Sequence, residues 1–383
     1  MTIGFLHFPY LVQENVIDSM NLCAAIALTT VATKPKEIVR TCFRHKKFFL
    51  HYDVNDSFTI RRYYPIIEAY PDQFVIELAA KVYPEQSWKF FDVTPISVLT
   101  TDEGKLAFAS CHQQSKEEIS ANIMQYYIHM FPKLSLSVEF KILPTIELFR
   151  RTMRMVEAVK DLDYFGVFDE IEERYPRTHD LLQEIIFNEC RRARTARSNI
   201  RTSAGFRYGY QTHDSFNFDH FSLTHGAWVT KDHFIKFFMK CKRVDLAVDY
   251  SDRNIVAILK SWTKKSSLSY IAIEGHPGFY RNSTLTNVVA HLPRAVLVEK
   301  ASIIVSCFSS EYQNVSFTAG RCYEIKQDSG REALVLYIHD FLYLITDYKI
   351  LKTDEQVVNA EKWRPPAVPN EVISDEDSSY NED

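Results

Sequence analysis

The side chains best able to move protons or hold a metal cluster in one stretch of this chain: His213, His220, His225 and His233. Their intervals of 7, 5 and 8 residues match no common ligand spacing. With His225 expected in a strand-to-helix turn and His233 in a first helical turn, surface hydrogen bonding is the role expected of them. The seven cysteines, Cys23, Cys42, Cys111, Cys190, Cys241, Cys307 and Cys322, are scattered and contain no C-x-x-C pair. Structural zinc is therefore not expected, and their odd number and apolar settings suit reduced thiols in a cytoplasmic or nuclear protein. The sequons at Asn55, Asn282 and Asn314 are then chance matches. No nucleophile elbow, Walker loop or dinucleotide fingerprint is present. Only 10 of 383 residues are glycine, which leaves few positions for phosphate-cradling loops. The chain reads as a binding protein, with no catalytic residue, cofactor or metal expected.

The densest positive charge runs through Arg191-Arg192-Ala-Arg194-Thr-Ala-Arg197-Ser-Asn-Ile-Arg201. If the helix signalled by Leu181, Leu182, Ile185, Ile186 and Cys190 continues into it, Arg194, Arg197 and Arg201 share one face. Guanidinium groups so placed could take phosphate bidentately, from a phosphorylated target or from RNA, with Tyr208 and Tyr210 near enough to stack on bases. The plainer reading is a solvated helix end, with cations where the macrodipole favours them. The formal net charge of −4 gives no global attraction to nucleic acid or to acidic membranes.

The elements around these residues are legible between Phe221 and Ile273. Phe234, Phe237, Phe238 and Cys241 recur at helical spacing, as do Ile255, Ile258, Leu259 and Trp262, with a constant offset of 21 residues. Alternating strands at Phe221–Leu223, Val244–Val248 and Leu268–Ile273 flank them. The strand spacings of 23 and 25 residues fit a solenoid of stacked β-α units resembling leucine-rich repeats, in which neighbours complete one another's core. The same alternation is expected from about residue 134: strands over 134–140 and 164–168, and a helix through Ile146, Phe149, Met153 and Val156. Strands are also expected at 48–54, 74–78 and 88–93, and a helix through Ile119, Ile123, Tyr127 and Met130. Hydrophobic residues make up 46% of the chain, enough for a sizeable core.

The opening residues carry no basic segment ahead of an apolar one, so they do not read as a signal peptide, and no run is long enough to span a membrane. Pro9 can start a helix continued by Val12, Val16, Ile17 and Met20. Leu22 opens a second, with Ile26, Leu28 and Val31, and Pro35 a third, with Ile38 and Val39. These helices carry more apolar positions than they can bury among themselves, so a partner is expected to complete them.

Phe8-Pro9-Tyr-Leu-Val12, Val16-Ile17, Met20, Ile26-Ala-Leu28-Thr29 and Lys34-Pro-Lys36-Glu-Ile38-Val39 resemble a nematode F-box. Leu28-Thr-Thr-Val31-Ala-Thr33-Lys34 stands where the family has Leu-Ser-x-x-Ser-Lys. The segment Leu223-Thr-His-Gly-Ala-Trp228-Val229-Thr230, with the helix to Cys241, Val244-Asp-Leu246 and Ile258-Leu259-Lys-Ser-Trp262, is similar to the nematode F-box-associated domain. Tyr323-Glu-Ile325 through Gly330 to Ala333, with Phe341 to Ile345, resembles that domain's closing hairpin.

The resemblance implies a mixed α/β (α+β) chain: a three-helix F-box over 1–46, a β-rich connector over 47–132, and an irregular leucine-rich-repeat-like β-α solenoid with a C-terminal β-hairpin over 133–350, most clearly matched at 204–275. After Trp363 come Pro365, Pro366 and Pro369 and an acidic run, so 351–383 is expected to be a disordered tail, with Ser374 in a setting that acidophilic kinases favour. It further implies a substrate-recruiting subunit of a cullin-based ubiquitin ligase. Phe8, Pro9, Val12, Val16, Ile17, Met20, Ile26 and Leu28 would meet a Skp-family adaptor, or else form the helices' own core. The solenoid would hold a target protein. Two other readings are a binding or innate-immune sensor module with a vestigial F-box, and an RNA-binding protein using the 191–201 arginines.

Overall fold

The computed structural model describes residues 7–62, 73–78, 86–88, 96–100, 106–110, 115–168, 178–208, 215–274, 282–292, 294–305, 315–338 and 341–351. His213, Tyr210, Cys111, Cys307, Asn314, the 89–93 part of an expected strand and the tail with Ser374 lie outside them. The chain is a mixed α/β protein whose contacts divide it into two units, one comprising Met1–Tyr250, Ser266–Leu268 and Ala272–Glu274, the other the remainder. This division falls inside the expected 133–350 region.

In the first unit three helices, α1 (Tyr10–Ser19), α2 (Leu22–Val31) and α3 (Thr33–Phe43), precede β1 (Phe48–Asp53), β2 (Ser57–Arg62) and β3 (Gln73–Leu78). Then come β4 (Gln86–Trp88), β5 (Ile96–Thr100), β6 (Leu106–Ser110), α4 (Lys116–Met130), β7 (Leu134–Phe140), α5 (Ile146–Met155), β8 (Asp161–Val167), α6 (Asp180–Glu189), β9 (Thr195–Ser198) and β10 (His220–Leu223). A short helix α7 (Lys231–His233) runs into a π-helical turn, Phe234–Phe238, before β11 (Arg243–Ala247).

Strand order in this unit is β4-β5-β6-β3-β2-β1-β7-β8-β9-β10-β11. From β1 to β11 every pairing is parallel, and β7 to β11 lie side by side in chain order. Alternation decides which side is buried. Leu136, Val138, Phe140, Phe165, Ala196, Phe221, Leu223, Val244 and Leu246 are all buried. Helices cover that side: the α5 ring of Phe149 lies 5.7 Å from Phe140, and the α6 ring of Phe187 lies 5.8 Å from Phe221. Trp228, Phe216, Phe237 and Phe238 complete a dense aromatic core there, in tilted ring pairs. Gly226 is required locally, because a Cβ would come within 2.9 Å of the Ala247 carbonyl oxygen.

The stretch after α6 departs from the sequence expectation. The helix ends at Glu189, Cys190–Arg192 form one 3-10 turn, and Thr195–Ser198 is strand β9, inserted between β8 and β10. Burial explains it: Ala193, Ala196, Ser198 and Ile200 are all buried, a period of two and three that a continuing helix could not place on one side.

The second unit contains α8 (Asp252–Lys264), part of β12 (Tyr270–Glu274), α9 (Asn282–Ala290), β13 (Val296–Val305), β14 (Val315–Lys326), β15 (Glu332–Ile338), β16 (Phe341–Ile345) and β17 (Tyr348–Leu351). Its strands β17-β13-β14-β15-β16 are antiparallel throughout. Gly330, at φ 92°, turns β14 into β15, a conformation that favours glycine. Trp262 of α8 is fully buried. Among the described residues no helix is long and apolar enough to cross a membrane.

Candidate binding surfaces

Two surfaces of the first unit stand out, one apolar and one polar. The apolar one is on α1. Pro9 is its N-cap, and Gln13 and Ile17 face inward, which turns Tyr10, Leu11 and Val12 out to 46%, 70% and 40% exposure. Burying a leucine is worth roughly 1.5–3 kcal/mol, so leaving Leu11 in water forgoes most of that. Beside them Phe8, Val16 and Met20 are half-buried, and Pro9 is exposed. On α2, Leu28 is half-buried and Val31 exposed. Ile17 and Ile26 are buried in this chain's own core and have no surface to offer a partner. Of the eight residues expected to face an adaptor, six therefore retain exposure.

The helices are fastened to the sheet. Thr29 of α2 hydrogen bonds the buried hydroxyl of Tyr126 on α4, and Asn21 caps α2 by accepting from the Ala24 N–H at 2.7 Å. Arg62 of β2 donates to the Asp18 carbonyl at 3.4 Å, near the end of α1 where carbonyls lack helical partners, and its guanidinium stacks 5.4 Å from the Phe43 ring. Lys46 pairs with the Asp18 carboxylate.

The polar surface is the side of the parallel sheet opposite α5 and α6. Strand register aligns His51, Ser137, Tyr164, Thr195, His220 and Arg243 in one row across it. Asp53, Glu139, Gly166, Arg197, Ser222 and Asp245 form the next row. Gly166 makes room for Tyr164, whose hydroxyl would lie 2.6 Å from a Cβ at that position. Burial pushes the Tyr164 phenol up to about 12, so it stays protonated as a donor. Burial also pushes the Asp53 carboxyl up, but hydrogen bonds and charge from His51 and Lys141 outweigh it and bring it down to about 2. On Asp245 burial is likewise overcome, by His220 at 2.6 Å and by Arg243, and its carboxyl is held below the usual range.

The arginine run is split up rather than gathered. Arg194 donates to Asp161 at 2.9 and 3.2 Å and reaches Asp163 at 2.9 Å. Arg197 stands on the polar side of β9, hydrogen bonded with Tyr164. Arg191 donates to Tyr208 at 3.1 Å and stacks 4.7 Å from Phe216, while Arg201 is exposed beyond β9. Arg194, Arg197 and Arg201 share no helical face. Arg192 instead joins Arg150 and Arg154 around a cavity of about 650 Å³ that also holds Glu157 and Glu189. Across the turn before β8, His45, Lys47, Lys133 and Lys160 line a second cavity of about 480 Å³.

His220 and His233 both serve structure. His233 is buried and completes a capping box with Thr230, and its imidazole is pushed toward neutrality by burial. The five described cysteines are free and buried, and burial pushes Cys190 and Cys241 up to about 12, so they are thiols rather than nucleophiles. Sequence reading missed Tyr10 and Leu11, the most exposed large apolar side chains of α1. It also missed His51, Asp53 and Glu139, although the alternation of Phe48–Asp53 and Leu134–Phe140 marks them as outward positions. What it cannot supply is the pairing of β1 with β7.

Compared with family models, with curated proteins and with solved structures, the chain matches none.

Proposed function

We propose that this protein is a substrate-recruiting F-box subunit of a cullin-based ubiquitin ligase, docking a Skp-family adaptor through α1 and α2. One observation carries the reading: the exposed apolar residues Leu11 and Val12 at the start of α1, with Tyr10 46% exposed, Pro9 exposed and Phe8 and Val16 half-buried beside them. An apolar row of that kind is costly in water unless a partner covers it. In this reading the parallel strands in chain order are an irregular leucine-rich-repeat-like solenoid, and its polar side and the two cavities lined by arginines and lysines receive the target. The cationic linings there suit an acidic or phosphorylated segment. The protein supplies no chemistry; it raises the effective concentration of target lysines near a charged enzyme.

The test is co-elution of the full chain with a purified Skp-family adaptor on size exclusion. A complex that is lost in Val12→Asp supports the reading, and no complex with the wild-type chain ends it. A stand-alone binding module is the second reading, favoured by the anchoring of α2 through Thr29 and Tyr126 and by the burial of Ile17 and Ile26. RNA binding loses the shared arginine face on which it rested.

A further inference from the structure

We propose that His51, Asp53 and Glu139 form a divalent-cation site of the zinc class on the polar side of the sheet. The register makes it: Asp53 is the cross-strand partner of Glu139, and His51 that of Ser137, on adjacent parallel strands β1 and β7. His51 and Asp53 are two residues apart on one strand, so both point to the same side. One donor atom from each of the three residues lies within 4.8 Å of the other two. His51 Nε2 is 3.0 Å from Asp53 Oδ1 and 3.9 Å from Glu139 Oε2. Tetrahedral ligands around zinc, at bond lengths of 2.0–2.2 Å, are about 3.4 Å apart, and the two observed separations bracket that value.

The surroundings match what a metal site needs outside its ligands. His51 Nδ1 lies 2.8 Å from Ser137 Oγ. With the Nδ1 proton donated to Ser137, the Nε2 lone pair faces the Asp53 and Glu139 carboxylates, which is the tautomer in which Nε2 can ligate a metal. The far oxygen of Asp53, Oδ2, accepts from Lys141 at 2.9 Å and from Ser57 at 3.2 Å, which holds Oδ1 toward His51. Asp53 is only 10% exposed at its side chain, so the carboxylate is positioned rather than loose. The Lys141 ammonium lies beside the site and is 45% exposed. Two carboxylates and one imidazole suit zinc or cobalt better than calcium or magnesium. This inference is independent of the ligase reading.

The experiment uses the full-length chain, stripped by chelator dialysis and titrated with Co²⁺ by calorimetry and absorbance. One equivalent should bind with a visible spectrum lacking the sulfur-to-metal band that thiolate ligation gives, which separates this site from the free cysteines. Glu139→Gln should weaken binding at least about 10-fold and Ser137→Ala by about 10–100-fold, the range typical of losing a supporting hydrogen bond. Melting curves without metal check that each variant is folded. Absence of an equivalent in wild type, a thiolate band, or unchanged affinity in folded Glu139→Gln would overturn the site.

Discussion

The outward side of α1 and the outward side of the parallel sheet solve the same problem in opposite ways. On the outward side of the sheet charged groups pair with one another, as Arg194, just before β9, does with Asp161 and Asp163, and Asp245 with His220 and Arg243. Those groups are paired within the chain. On α1, Tyr10, Leu11 and Val12 face the same solvent with little polar chemistry to offer it. A partner could bind either surface, but only the α1 row gains its main benefit from being covered. The difference teaches where to look for an obligate contact and where for a selective one.

Four substitutions should break or sharpen this contrast. The largest effect is expected at Ile26→Asp, which forces a charge into the core beneath α2 and should cost upward of about 4 kcal/mol, measured by denaturant unfolding. A small loss there would mean that α2 is not anchored on the sheet. Gly166→Val comes next: its side chain would collide with Tyr164, and about 1–3 kcal/mol should be lost, again by denaturant midpoint.

Asp245→Asn probes the pairing of the polar side through pH. Because the folded-state pKa of Asp245 is depressed, its stabilisation is present above the ordinary value of 3.8 and disappears as pH falls through the folded value. The wild-type chain should therefore lose this contribution over that acid range, whereas Asp245→Asn, lacking it at every pH, should show a shallower acid limb. Equal slopes would mean that His220 and Arg243 do not hold the carboxylate. The smallest effect on stability belongs to Leu11→Ser, within about 0.5 kcal/mol of wild type despite the loss of a leucine, since little of it is buried.

Much of this architecture could be read from periodicity. The three opening helices, β7, α5 and α8 lie within a few residues of where apolar spacing puts them, and the Asp328-Ser-Gly330 turn joins β14 to β15 within the expected hairpin. Trp228, Val229, Cys241, Leu246 and Trp262, which carry the resemblance to the F-box-associated domain, are all core residues. They speak to the fold and leave the binding side unmarked. The arginine run was misread because Arg191, Arg192 and Arg194 mask the short β9, whose apolar content is the single alanine Ala196. The polar rows were out of reach for a different reason. Which residues share a row depends on strands far apart in sequence finding one another, and that pairing is written in the packing of Phe140, Phe149 and Phe165, not in local spacing.

The measurement that bears most directly on the contrast is hydrogen exchange of the full chain, read by mass spectrometry with and without a Skp-family adaptor. Protection confined to peptides covering Phe8–Met20 and Ile26–Val31, with β1, β7 and β8 unchanged, is the predicted result. Protection on those strands, or none anywhere at saturating adaptor, would contradict the assignment of α1 as the docking surface.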